Sequence, residues 1–108
     1  MARYDSLDQV IESLERNFKP EKAAGADGIY QLHYTGEDGG DWYLAVENQQ
    51  LTVSEGTHDA PDVTVTSTAD DWLKIANGDL NPMMAMMTGK LKVQGSIPKA
   101  TKLQALFF

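Results

Sequence analysis

The sequence predicts an α+β domain, with a five-stranded, mainly antiparallel sheet covered on one face by about four to five helices. Three observations predict it. The apolar spacing changes from helical to alternating at Gly28, and returns to helical after Thr68. Each alternating stretch keeps its apolar residues on one side, so one sheet face is apolar and the other wetter. The helical stretches exist to cover that apolar face, which makes a two-layer architecture.

The first element is an amphipathic helix over residues 6–18. Leu7, Val10, Ile11, Leu14 and Phe18 recur at helical spacing, with Asp8, Glu12, Glu15 and Arg16 opposite. Ser6 followed by Gln9 fits a capping box, because the hydroxyl and the amide satisfy orphan N–H groups. Pro20 stops this helix, Glu21 to Ala24 form one further turn, and Gly25 breaks it.

Strands follow. Tyr30, Leu32 and Tyr34 alternate with Gln31, His33 and Thr35, and Gly36 to Gly40 make a turn. Trp42, Leu44 and Val46 then alternate with Tyr43, Ala45 and Glu47. Asn48–Gln49 is a second turn, before Leu51 and Val53. Short connections between these runs predict an antiparallel meander. A polar loop, Glu55–Asp62, precedes a fourth strand carrying Val63 and Val65.

Thr68 with Asp71 caps a helix whose apolar side is Trp72, Leu73, Ile75 and Ala76. Asp70 and Asp71 lie in its first turn, where negative charge suits the helix dipole. Asn81–Pro82 reads as an N-cap and a proline at the first helical position. The short helix behind it holds Met83, Met84, Met86 and Met87, every methionine but the first, and ends at Gly89. It is apolar almost all round, so it should be covered on several sides or open to a cavity. A fifth strand, Lys90–Gln94, points Leu91 and Val93 inward. Ala100, Leu103, Leu106 and Phe107 share a face of the last helix.

One domain spans residues 1–108, and 42% hydrophobic with 23% charged residues is ordinary for a globular fold. The charge is unevenly spread. Residues 1–79 hold five basic side chains against sixteen acidic ones, whereas Lys90, Lys92, Lys99 and Lys102 share the remainder with no acid. The net charge of −7 argues against nucleic acid as a partner. The absence of Cys excludes a thiol nucleophile and a cysteine zinc site. No signal-like or membrane-length apolar run occurs, so a cytoplasmic location is expected.

Catalytic patterns are missing: no G-x-S-x-G elbow, no Gly-rich phosphate loop and no H-E-x-x-H. His33 lies on the wetter face of its strand. His58, Asp59 and Asp62 share one loop but fit no metal-ligand spacing, and a solvated acidic loop is the plainer reading. No catalytic residue, metal or cofactor is expected.

Five stretches carry a family resemblance: Gly28–Gly36 (GIYQLHYTG), Pro61–Ser67 (PDVTVTS), Asp71–Gly78 (DWLKIANG), Asn81–Gly95 (NPMMAMMTGKLKVQG) and Lys102–Phe107 (KLQALF). In them the chain resembles the sterol carrier protein type 2 lipid-transfer domain, in its small free-standing form. The run from Asp71 to Gly95 is the specific part. The resemblance implies an apolar tunnel between sheet and helices that holds sterols, fatty acids or fatty acyl-CoA without chemistry. It places Trp72, Ile75, Met84, Met87, Leu103 and Leu106 in the tunnel wall. With Met83 and Met86 from the same helix, Leu91 and Val93 from the fifth strand and Phe107 from the last helix, these form the expected ligand wall. Residues 96–102, Ser-Ile-Pro-Lys-Ala-Thr-Lys, are more polar than the family pattern. The ligand class is therefore not carried over.

The expected partners are a lipid or other apolar ligand and, through Lys99 and Lys102, an anionic head group or transient membrane contact. The chain would be a monomer or a homodimer. The alternative is an interaction or dimerisation module using the Met-rich and C-terminal apolar surface. A thioesterase is a third reading, disfavoured by the missing nucleophile–base pair.

Overall fold

The computed structural model describes the backbone of residues 3–107 and the side chains of residues 3–102. Helix α1 spans Leu7–Asn17 and buries Leu7, Val10, Ile11 and Leu14. Ser6 Oγ accepts the Gln9 amide N–H at 3.4 Å, while the Gln9 side chain accepts the Asp5 N–H at 2.7 Å. The reciprocal cap therefore forms one residue further out than the usual pattern. Where one further turn was expected at Glu21–Ala24, a 3-10 turn occupies Pro20–Lys22. Proline opens it because its fixed φ suits a first helical position.

Strands β1 (Gly28–Thr35), β2 (Gly40–Glu47) and β3 (Gln50–Glu55) form the meander. The turn between β2 and β3 has Asn48 at φ 53° and Gln49 at φ 62°. A two-residue connection with both φ values positive matches the twist of the strands it joins. Strand β4 (Val63–Thr68) then crosses to the other side of β1 and pairs with it in parallel, Leu32 opposite Val65. Strand β5 (Leu91–Gly95) pairs antiparallel with β4, Val65 opposite Val93. The sheet order is β3-β2-β1-β4-β5, mostly antiparallel with one parallel pair.

Helices α2 (Ala69–Ala76), α3 (Pro82–Met87) and α4 (Ile97–Phe107) complete the second layer. Tyr30, Leu32, Tyr34, Leu44, Val46, Val63 and Val65 are buried between sheet and helices. Asn77, at the end of α2, accepts the Tyr4 N–H at 2.8 Å and donates to the Tyr4 carbonyl at 3.0 Å. Beside this clasp Arg3 pairs with Asp79.

The opposite face is not simply wet. Gln31 is buried there, because its amide donates to the carbonyls of Trp42 at 2.9 Å and Gly56 at 3.1 Å and accepts the His58 N–H at 2.8 Å. The ring of His58 then meets Tyr43 edge-on, with centroids 5.2 Å apart. So the loop after β3 folds back over the sheet. No helix among the described residues is long and apolar enough to cross a membrane.

Candidate functional site

The site begins with the two strands that alternate most cleanly. Val65 on β4 and Val93 and Leu91 on β5 project toward the helices. Above them α2 supplies Trp72 and Ile75, both buried. Thr68 Oγ1 accepts the Asp71 N–H at 3.0 Å, which starts α2 where the β4 ladder ends. The first turn of α4 brings Ile97, Ala100 and Thr101 over the same strands, at i, i+3 and i+4. Ser96 caps that turn: its carbonyl accepts the Ala100 N–H at 3.0 Å and its hydroxyl the Lys99 N–H at 3.4 Å. Pro82 and Met86 of α3 complete the boundary.

These residues enclose an apolar cavity of about 170 Å³. Among the described residues none that lines it is titratable. The one hydroxyl in the wall, Thr101 Oγ1, donates to the Ile97 carbonyl at 3.1 Å. Such a wall can exclude water from an apolar group. Behind Trp72 stands Tyr34, with ring centroids 5.4 Å apart, and behind Tyr34 stands Trp42 at 5.8 Å. The Tyr34 hydroxyl is buried with no hydrogen-bond partner among the described residues. Its desolvation pushes the phenol well above the usual tyrosine range.

Of the residues expected in the ligand wall, the structure brings Trp72, Ile75, Met86, Leu91 and Val93 together. Met83, Met84 and Met87 lie outside the lining and are 66%, 55% and 81% exposed. The inward residue of α3 is instead Ala85, fully buried against the body. α3, expected to be covered on several sides or open to a cavity, lines one through Pro82 and Met86 and otherwise turns its methionines outward. The side chains of Leu103, Leu106 and Phe107 fall outside the described residues. Val65, Pro82, Ile97, Ala100 and Thr101 were not in the expected wall. Val65 was legible as inward and Ala100 as part of an apolar face; Ile97 and Thr101 sit in a segment that read as polar.

The two lysines assigned to head groups are placed differently from each other. Lys99 Nζ donates to the Asp27 carbonyl at 2.7 Å and lies 3.7 Å from the Asp62 carboxylate. Its charge is engaged at the half-exposed junction of β1, β4 and α4. Lys102 is exposed. Elsewhere, His33 pairs with Asp41 across the β1–β2 ladder. His58 Nδ1 accepts the Ala60 N–H at 3.0 Å, and Asp62 accepts the Ile29 N–H at 2.8 Å. Among the described residues no three acids or histidines gather as a metal site.

Known proteins share this architecture. Hydroxysteroid dehydrogenase-like protein 2 of Mus musculus is 33% identical over 104 residues, which is 95% of this chain and 21% of that protein. The chain spans only about a fifth to a quarter of the curated relatives it matches. The stereoselective inverting sec-alkylsulfatase Pisa1 from Pseudomonas sp. superimposes with TM-score 0.79 at 26% identity, over 93% of this chain and 16% of that one. The solution structure of palmitated SCP2L2 from Aedes aegypti has TM-score 0.67 at 27% identity and covers 94% of both chains. The SCP-2 sterol transfer family matches residues 7–108, from the first turn of α1 to the end, and the chain belongs to that family.

Proposed function

We propose that the chain binds and carries a lipid or other long-chain apolar molecule, a fatty acid, fatty acyl-CoA or sterol-like compound, and acts on it without chemistry. The observation that carries this reading is the cavity, mainly apolar and free of titratable groups among the described residues. Its volume sets a limit. A cavity of about 150 Å³ accommodates benzene, so the 170 Å³ here holds a segment of roughly six carbons. The rest of a longer ligand passes out at the rim, where Met86 and Ile97 line the cavity while staying exposed. Each methylene buried contributes about 0.8 kcal/mol, so the roughly six inside contribute about 5 kcal/mol, and micromolar binding after association costs needs about four more covered at the rim. The palmitated state of the Aedes aegypti protein supports the same ligand class here. In this reading the carrier works in the aqueous cytoplasm.

The test uses Trp72 as a reporter. In a Trp42→Phe background, energy transfer to a fluorescent fatty acid should saturate at micromolar concentration, and native mass spectrometry of the purified protein should show a lipid adduct. Absence of saturable transfer from a folded protein overturns the carrier reading. A dimer in the same spectrum, with no adduct, favours the interaction module.

A further inference from the structure

We propose that α3 is a methionine-oxidation site through which a small aqueous peroxide weakens the cavity's hold on its ligand, with Met86 as the coupling residue. The chain has no Cys and five methionines. Four of the five, Met83, Met84, Met86 and Met87, lie in this one helix of six residues. All four are more than half exposed, from 51% at Met86 to 81% at Met87. Apart from Met1, every sulfur of the chain is therefore within reach of an oxidant in water, and no thiol competes for it. Met86 differs from the other three because it also lines the cavity. A change of its chemistry is felt by whatever the cavity holds.

The step needs only the thioether and the peroxide. A lone pair of the sulfur attacks one oxygen of hydrogen peroxide. The O–O bond breaks as the S–O bond forms, so an electron pair passes from sulfur to the peroxide. The departing oxygen takes the proton from the transferred one and leaves as water. The product, methionine sulfoxide, is polar where the thioether was apolar. At Met86 the new oxygen costs free energy against a mainly apolar wall unless it is hydrogen-bonded. Water supplies that bond at a half-exposed position, so the oxidised side chain turns out of the rim and uncovers the ligand there. The fold is spared, because α3 is held by groups other than sulfur. Asn81 Oδ1 accepts the Met83 N–H at 2.8 Å, and Thr88 Oγ1 donates to the Met84 carbonyl at 2.9 Å. Its buried side chain is Ala85, whose carbonyl accepts the Lys90 N–H at 2.8 Å.

The coupling rests on the carrier reading; the oxidation site does not, and the experiment separates them. Hydrogen peroxide is the probe, followed by peptide mapping by mass spectrometry, thermal melting and titration with a fluorescent fatty acid. The folded protein should take up oxygen at Met83, Met84, Met86 and Met87 at rates close to those of the urea-unfolded chain. Its melting temperature should stay near the parental value. Its Kd should rise roughly four- to fifteenfold, the equivalent of one or two methylenes uncovered. Methionine sulfoxide reductases of both epimer specificities should restore it. Met83→Leu with Met84→Leu and Met87→Leu leaves Met86 to be oxidised and should show the same loss. Met86→Leu, oxidised at the other three, should keep the affinity it had before oxidation. Methionines of α3 that resist peroxide while those of the unfolded chain react overturn the oxidation site. An unchanged Kd in the oxidised parent overturns the coupling, and an equal loss in Met86→Leu overturns the role of Met86. A reduced parent that takes no fatty acid overturns the carrier reading and the coupling with it, while the peptide maps still decide the oxidation site.

Discussion

Filling the cavity is the most direct way to separate its two properties, free volume and ligand binding. Ala100 lines it from the first turn of α4, and Ala100→Phe adds one benzene ring to that wall. The 170 Å³ available exceeds the roughly 150 Å³ that accommodates benzene. The ring should enter existing space and avoid the ~1–3 kcal/mol cost of overpacking a full core. Burying it gains apolar contact, so stability should stay level or rise by up to about 1.5 kcal/mol. The same ring occupies the place of about six methylenes of ligand, worth about 5 kcal/mol, or roughly three decades in Kd. Thermal melting and fatty-acid titration on the same sample read both quantities. A variant that melts no lower and binds fatty acid with the parental Kd would refute the assignment of this cavity. A loss of about 1–3 kcal/mol would show that the space is already filled.

Two further substitutions test the surroundings. Tyr34→Phe removes a buried hydroxyl without a partner among the described residues, so stability should rise by about 1 kcal/mol, seen as a melting temperature higher by roughly 4–8 °C. Because burial raises the Tyr34 phenol, the folded protein keeps its proton where the unfolded chain has lost it; stability from this group is full below about pH 10 and falls above it. Tyr34→Phe should flatten that alkaline decline in urea titrations, leaving the smaller part due to Tyr30, also raised chiefly by burial. Gln31→Ala strands the His58 N–H and the carbonyls it served, so it should cost about 1–3 kcal/mol by urea unfolding. Ligand affinity should be unchanged, since Gln31 faces away from the cavity.

Much of the fold was legible because each element carries its own local signal. Ser6, Thr68 and Asn81 cap helices by bonds that span two or three residues. The alternation from Tyr30 to Val65 reports burial at every second position. The pairing partner of β4 was not legible: Val63–Thr68 says that it is a strand, and not that it lies parallel to β1. The site was half legible for a similar reason. Trp72, Ile75, Leu91 and Val93 sit in elements long enough to show a face. The methionines sit in a helix of fewer than two turns, where four apolar residues define no stripe, Ala85 alone is buried and Met86 alone of the four lines the cavity. Lys99 read as a free cation because its partners, Asp27 and Asp62, are far away in sequence.

Asp62 has a mechanical meaning for the cavity. Its N–H donates to the Ile29 carbonyl at 2.8 Å, and its carboxylate accepts the Ile29 N–H at the same distance. Its carbonyl accepts the Ser96 N–H at 2.9 Å, and its side chain faces Lys99. Gly95 is required beside it: φ is +104°, and a Cβ there would stand 2.3 Å from the Asp62 carbonyl oxygen. One residue thus rivets β1, β4, the end of β5 and the first turn of α4. Among the described residues α3 has no comparable rivet. Of the two walls that meet at the rim, the one bearing Ile97 is tied to Asp62, while the one bearing Met86 is held, among the described residues, by buried Ala85 and its carbonyl bond to Lys90. Any widening needed for a ligand longer than the resting space is therefore expected to be one-sided, with the methionine helix moving and α4 holding its position.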